Sequence, residues 1–243
     1  GICLNWGCIP SKTLLGNASL LNLIKKADEF GISFDNLKFD FTKAVARSRR
    51  IVERLTKGIE FLLKKNKVVH IHGLAKITDL HTITVNEGQS VLTSRNIIIA
   101  TGAINNPVEG LEIDGVNIIS SKEALVLQEV PKRLVVVGAG ATGVEFSYLY
   151  RAFGSEVTLV ETRSQILPSE DQEIAAELRK CLTEQGIRIF TESRVQRNKD
   201  VSGLISLNLQ IQGQEKSIET EKVLVATGVK GNTDKIGLES IGL

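Results

Sequence analysis

The 243 residues contain no methionine and only three cysteines. Few cysteines, odd in number, in a chain of this length argue against a secreted disulfide scaffold. A disulfide here is therefore expected to be catalytic rather than structural. Charge of one sign is missing as well: 30 Lys and Arg against 28 Asp and Glu leave a formal net charge of +2. That gives no electrostatic case for a nucleic acid or an anionic membrane surface as partner. No apolar run approaches the roughly 20 residues that a spanning helix needs, and the N-terminus lacks the charged-then-apolar form of a signal peptide. With no initiator methionine, the chain opens at Gly1-Ile2-Cys3, inside what reads as a working motif, so the sequence is expected to be an internal fragment.

What is present is strongly patterned. Leu14, Ala18, Leu21, Ile24 and Ala27 fall on one helical stripe, with Gly31 as its stop. A second helix is predicted from about Thr42, with Val45, Val52, Leu55, Ile59 and Leu62 on one face. Its basic clusters "RSRR" (47–50) and "KKNK" (64–67) read as a solvated face. Short strands are predicted at 68–72 ("VVHIH"), 82–85, 90–93 and 96–100 ("NIIIA"), the last uniformly apolar as expected of a buried parallel strand. Residues 103–131 are loop-rich and hold a domain boundary late in the stretch. A strand at 133–137, a glycine turn, a helix to about Phe153 with Gly154 as its stop, and a strand at 156–161 make one strand-helix-strand unit. A helix at about 170–185, a half-exposed strand at 205–211 turned by Gly213, and an apolar run at 222–229 follow. "NIIIATGA" (96–103) and "KVLVATGV" (222–229) echo each other.

"GAGATG" (138–143) fits G-x-G-x-x-G after an apolar strand and before a helix, the context of a dinucleotide site. Gly138 permits the tight turn, Gly140 lets backbone approach a pyrophosphate, and Gly143 allows close helix–strand packing. Ala139, Ala141 and Thr142 complete the turn, and the helix N-terminus offers free N–H groups to phosphate. Glu161 sits where a carboxylate would accept the adenosine ribose hydroxyls and repel a 2′-phosphate, which favours NAD(H), although Arg163 two residues on could contact a phosphate. The bland reading of Glu161 is a surface carboxylate at a strand end.

Cys3 and Cys8 lie five positions apart in "CLNWGCIPSK". On a regular helix residues so spaced are about 140° apart and too distant for a disulfide. A bond between them needs a distorted turn, for which Gly7 supplies the freedom. Pro10 suits the first turn of a following helix, which places Cys8 at a helix N-terminus where a thiolate is stabilised, with Lys12 one turn on acting the same way. The alternative is a metal site drawing on Cys181, His70, His72 or His81. His70 and His72 read better as the polar face of a partly exposed strand, His81 as a turn residue and Cys181 as a buried helix position, so no metal is expected.

The cysteine motif, "GAGATGVEF" followed by "VTLVE", and both Thr-Gly endings together resemble the flavoprotein disulfide reductases, in wording nearest to their dihydrolipoamide dehydrogenase branch. The resemblance covers essentially the whole chain. It implies an α/β fold of two Rossmann-like three-layer nucleotide-binding domains, each with a small β-meander. The first, at 1–128, would bind FAD and be truncated at its N-terminus; the second, at 129–243, would bind NAD. It implies that Cys8 is the thiol beside the flavin and Cys3 the interchange thiol. Lys12 would contact the flavin and pair with Glu145. Ala75, Ala100, Thr101 and Gly102 would line the FAD path, and Val195 and Gly228 would touch NAD.

The activity so implied is oxidation of dihydrolipoamide by NAD⁺. The implied partners are the lipoyl group of a 2-oxoacid dehydrogenase or glycine-cleavage complex and a second copy in a homodimer. The implied location is cytoplasmic, or the mitochondrial matrix in a eukaryote. A first FAD glycine turn would precede Gly1. A Gly-Asp for FAD, and a His-Glu base on a dimerisation domain, would follow Leu243, so this segment alone is expected to be inactive. Two alternatives stay open: a glutathione-type or mercuric reductase, and a nucleotide-binding module without turnover.

Overall fold

A computed structural model describes residues 1–198, 200, 203–211 and 213–243. In chain order its elements are α1 (Ile2–Trp6), α2 (Cys8–Lys25), a 3-10 turn (Ala27–Phe30), α3 (Phe41–Lys65), β1 (Ala75–Asp79), β2 (Thr82–Val85), β3 (Ser90–Thr93) and β4 (Ala103–Asn105). Then come β5 (Ile118–Ile119), α4 (Ser121–Ala124), β6 (Arg133–Val137), α5 (Ala141–Ala152), β7 (Glu156–Val160) and α6 (Gln172–Glu184). The remainder is β8 (Arg188–Phe190), β9 (Ser193–Arg197), β10 (Ile205–Ile211), β11 (Gln214–Thr220), β12 (Lys222–Val225), β13 (Val229–Gly231) and a 3-10 turn (Leu238–Ile241). These elements form two compact units. Gly1–Leu55 and Asn105–Gly228 make the larger, Thr56–Ile104 and Val229–Leu243 the smaller, with α3 running from one into the other.

The larger unit is built on a five-stranded parallel sheet in the order β5-β12-β6-β7-β8. Side chains alternate across each strand. Leu134, Val136, Leu159 and Leu224 enter one core with α2, α5 and the start of α3. Val135, Val137, Val223 and Val225 enter another with Leu207 and Leu209 of β10. The sheet is thus sandwiched between helices on one face and the antiparallel meander β9-β10-β11 on the other, the three-layer plan expected from the sequence. The strand at 205–211 is less exposed than its alternation suggested. Ile205, Leu207 and Leu209 pack against the sheet and even Ser206 is buried. The helices match their stripes: Leu14, Ala18 and Leu21 of α2 are buried, and Gly31 stops the chain with a left-handed φ of 72°. Pro10 falls within the first turn of α2, as its fixed φ allows.

In the smaller unit β1-β2-β3 form a second antiparallel meander, and β13 pairs with β4. Residues 229–243 close onto it: Ile77 N–H donates to the Ile236 carbonyl at 2.8 Å and Ser240 Oγ to the Ile77 carbonyl at 3.2 Å.

Three expectations need correction here. Residues 68–72 and 96–100 are not strands, and their apolar side chains face outward, Val69 80% and Ile98 89% exposed. A strand exists only through its ladder partners, and among the described residues no strand pairs with either segment. Second, the apolar face of α3 is buried only as far as Val52; Leu55, Ile59 and Leu62 are exposed. Third, β1 was not anticipated, because its sequence "AKITD" buries Ile77 alone and carries little alternation.

Candidate active site

The cysteine turn is a break between two helices. α1 ends at Trp6, Gly7 adopts φ −138° and ψ −119°, and α2 starts at Cys8. A Cβ on Gly7 would lie 3.1 Å from the Cys3 Cα, a tight approach, so the close return of the chain over Cys3 favours glycine. The two thiols are both free and exposed. Cys8 opens α2, as the sequence suggested, yet its pKa is raised above the ordinary cysteine value, not lowered. The hydrogen bond with Cys3 is the largest cause, followed by partial desolvation; the Lys12 charge works in the opposite direction but is outweighed. The neighbouring sulfur therefore wins over the helix terminus and the lysine.

Lys12 donates from Nζ to Glu145 Oε1 at 2.6 Å, across 133 residues of sequence. The pairing raises the Lys12 pKa, through that hydrogen bond first. With side chains 60% and 27% exposed, such a pair adds about 0–1 kcal/mol to stability; its consequence is positional. Glu145 lies on α5, two residues after Gly143, so the helix that opens at the glycine turn also grips α2. Further bolts come from α3. The buried Ser48 Oγ donates to the Pro10 carbonyl at 3.3 Å, and Arg49 Nη1 to the Asn5 carbonyl at 2.7 Å. The "RSRR" cluster, expected to be a solvated face, is thus partly turned onto the cysteine turn.

The glycine turn lies at the C-terminal edge of the parallel sheet, between β6 and α5. Gly138 has φ +99°, and a Cβ there would stand 2.5 Å from the Ala226 carbonyl oxygen. A Cβ on Gly143 would overlap the Gly138 carbonyl. Gly140, the N-cap of α5, faces open space with no side-chain cap, and Ala141 and Thr142 after it are exposed. The first N–H groups of a helix have no partner within it. The turn therefore presents an open, backbone-lined cradle of positive potential that fits a pyrophosphate.

Glu161 is buried, and its carboxylate is turned onto the turn itself. It accepts from Ala139 N–H at 2.7 Å, Arg163 N–H at 2.9 Å and Thr162 Oγ1 at 3.2 Å. A carboxylate has about four acceptor positions, so one is left for a ribose hydroxyl while the others hold the loop.

Gly228 (φ +90°) ends the run after β12, next to β6 in the sheet, with its carbonyl accepting from Asn106 N–H at 3.0 Å. Val195 is buried in the core under the β9-β10-β11 meander, so its side chain faces apolar neighbours. In the smaller unit, Ala75 opens β1 and Ala100, Thr101 and Gly102 lie exposed; Gly102 has φ +85°. The His70 and His72 rings lie with centroids 4.2 Å apart and planes tilted by 51°, and His81 sits in the β1–β2 turn with Nδ1 3.1 Å from the Ser94 carbonyl. Cys181 is only half-buried, 3.9 Å from Glu177 Oε1, where a buried position was expected.

Two asparagines were missed. Asn106 Nδ2 donates to the Thr227 carbonyl at 3.3 Å, and Asn232 donates from N–H to the Gly102 carbonyl at 2.9 Å and from Nδ2 to the Thr101 carbonyl at 3.4 Å. Each stands four residues after one Thr-Gly, in "ATGAINN" and "ATGVKGN", a regularity the echo already held.

The family model described as pyridine nucleotide-disulphide oxidoreductase matches residues 1–243. The dihydrolipoyl dehydrogenase of Chlorobaculum tepidum is 38% identical over 247 residues, and that of Mycobacterium leprae 39% over 250; each match covers 100% of this chain and 53% of the relative. Among solved structures, LpdA of Mycobacterium tuberculosis superposes with a TM-score of 0.87 at 26% identity, covering 100% of this chain and 53% of that one. The HOCl-induced flavoprotein disulfide reductase RclA of Escherichia coli does so with a TM-score of 0.80 at 28% identity, covering 100% and 51%. The chain spans about half the length of the curated relatives it matches. Among the described residues no helix is long and apolar enough to cross a membrane. The chain belongs to the pyridine nucleotide-disulphide oxidoreductase family.

Proposed function

We propose that the protein carrying this chain is a dihydrolipoamide dehydrogenase, oxidising dihydrolipoamide with NAD⁺ through the Cys3–Cys8 pair. The observation that carries this reading is the Gly7 break, which folds the chain back over Cys3 where Cys8 opens α2, with the Lys12–Glu145 pair one turn on. A substrate thiolate attacks Cys3 of the disulfide, and Cys8 departs as a thiolate. The second substrate thiol then displaces Cys3, so the lipoyl disulfide forms and two electrons remain on the cysteine pair. Bound FAD, with NAD⁺ beyond it, would supply the acceptor for those two electrons, and Cys3 and Cys8 would return to their disulfide.

Cys8 is assigned to the flavin side and Cys3 to the substrate side, with Lys12 oriented by Glu145. Residues 1–128 carry the FAD role, with Ala75 and Ala100-Thr101-Gly102 along its path, and 129–243 the NAD role. The open cradle at Gly140 would hold the NAD pyrophosphate and Glu161 the ribose, with Val195 and Gly228 contributing backbone. The partner is a lipoyl group of a 2-oxoacid dehydrogenase or glycine-cleavage complex. The protein acts as a homodimer in the cytoplasm, or in the matrix of a mitochondrion.

The test is a dihydrolipoamide–NAD⁺ assay on the full-length protein. Cys3→Ala and Cys8→Ala should each abolish turnover, and NADP⁺ should serve at least about tenfold worse than NAD⁺. Turnover that survives either cysteine substitution refutes the reading.

A pH titration tests the thiol assignment. In the reduced protein Cys8 should alkylate with a midpoint above that of an ordinary cysteine. Cys3→Ala should lower that midpoint, and Lys12→Ala should raise it. Because the folded pKa lies above the unfolded one, the thiol contact stabilises the fold below the ordinary cysteine pKa, and that contribution is lost as pH rises through the folded value.

A further inference from the structure

The only tryptophan of the chain, Trp6, lies between the two cysteines. The Arg49 guanidinium carbon stands 4.4 Å from its ring centroid and the Lys122 ammonium 5.2 Å. Arg49 comes from α3 and Lys122 from α4, a short helix locked by a Ser120–Glu123 capping box. So two cations, on separately fixed elements, engage one half-buried ring.

The helix they engage needs such a hold. α1 has five residues, buries none of them and has no side-chain cap. Its only covalent link to α2 is Gly7, a joint that does not by itself set the angle between them. Yet disulfide geometry demands that the Cys3 and Cys8 Cα atoms stay within about 7 Å. Arg49 contributes twice, to the ring and to the Asn5 carbonyl, which fixes the end of α1 against α3.

We propose that Trp6, held by Arg49 and Lys122, is a positioning residue that keeps Cys3 in bonding range of Cys8 and so sets the dithiol–disulfide equilibrium of the pair. The inference rests on the proposed redox role of those cysteines. Two cation–ring contacts together correspond to about a decade in an equilibrium constant. Releasing α1 lowers the effective concentration of one thiol toward the other and makes the disulfide easier to reduce.

The test equilibrates the full-length protein with mixtures of reduced and oxidised dithiothreitol. Two electrons and two protons pass from the dithiothreitol dithiol to the protein disulfide, leaving dithiothreitol as its cyclic disulfide. Free thiols are then alkylated and counted on the peptide carrying Cys3 and Cys8. Trp6→Val should favour the dithiol by about tenfold, a shift of about 30 mV to more positive potential. Trp6→Phe, which keeps a ring, should shift it less. Lys122→Gln, which loses only its contact with the ring, should shift it in the wild-type background and add nothing once Trp6 is Val. Far-ultraviolet circular dichroism checks that each variant folds, and Trp6→Phe keeps the test open should Trp6→Val fail to. An unchanged equilibrium constant in Trp6→Val, or additive effects of Lys122→Gln and Trp6→Val, overturns the positioning role. If the wild-type protein forms no Cys3–Cys8 disulfide at any ratio, the functional reading itself fails, and the inference with it.

Discussion

"NIIIATGA" and "KVLVATGV" are nearly the same text, and they end in the same turn. Gly102 and Gly228 have φ of +85° and +90°, and each Thr-Gly is buttoned by an asparagine four residues beyond the other. Before the turn the likeness ends. Val223 and Leu224 are wholly buried in the middle of a parallel sheet, with β5 on one side and β6 on the other. Ile98 is 89% exposed and belongs to no strand. The turn is a local object, determined by a glycine and a nearby amide. The strand is a collective one: apolar side chains create the demand for burial, and only flanking strands can meet it.

The sharpest way to break the contrast is to charge both runs. Leu224→Asp places an unpaired carboxylate in the core between β12 and the helices and should cost more than about 4 kcal/mol, enough to unfold the larger unit. Ile98→Asp changes an exposed side chain and should stay within about 0.5 kcal/mol. Chemical denaturation followed by circular dichroism measures both. A cost above about 2 kcal/mol for Ile98→Asp in the full-length protein would show that the segment gains a sheet partner there, and the two echoes would then be equivalent.

The same division explains what was legible in the sequence. The glycine turn, the Gly7 break, Gly31 as a stop and the stripe of α2 could be read because each is set within a few residues. The run at 133–137 was legible for a different reason: its partners β7 and β12 also announce themselves as apolar runs. What escaped was pairwise and distant. Nothing in "RSRR" says that its third residue lies on Trp6, or that Ser48 reaches Pro10. The terminus of α2 suggested an acidic Cys8, but the sulfur of Cys3 reverses the sign. Glu161 follows β7 directly, but its engagement with the Ala139 and Arg163 amides could not be inferred from its position in the chain.

The smallest expected effect concerns the part of the echo that the two regions share. Asn106 makes three hydrogen bonds with the turn after β12: its N–H donates to the Gly228 carbonyl, its Nδ2 donates to the Thr227 carbonyl, and its own carbonyl accepts from Thr227 Oγ1 at 3.4 Å. Asn232 makes two, and its side-chain bond is exposed. Alanine removes only the side-chain hydrogen bond in each case, since the backbone bonds remain. A typical net value is about 0.5–1.5 kcal/mol, higher where the partner carbonyl is left unsatisfied away from water. Asn106→Ala, whose partner carbonyl is half-buried, should therefore cost about 1 kcal/mol, and Asn232→Ala, whose partner faces solvent, only a few tenths. Hydrogen exchange gives a second measure, because the Asn106 and Asn232 amides report each clasp directly. If the two substitutions cost the same, solvent exposure does not separate the turns, and the difference between the echoes is confined to their strands.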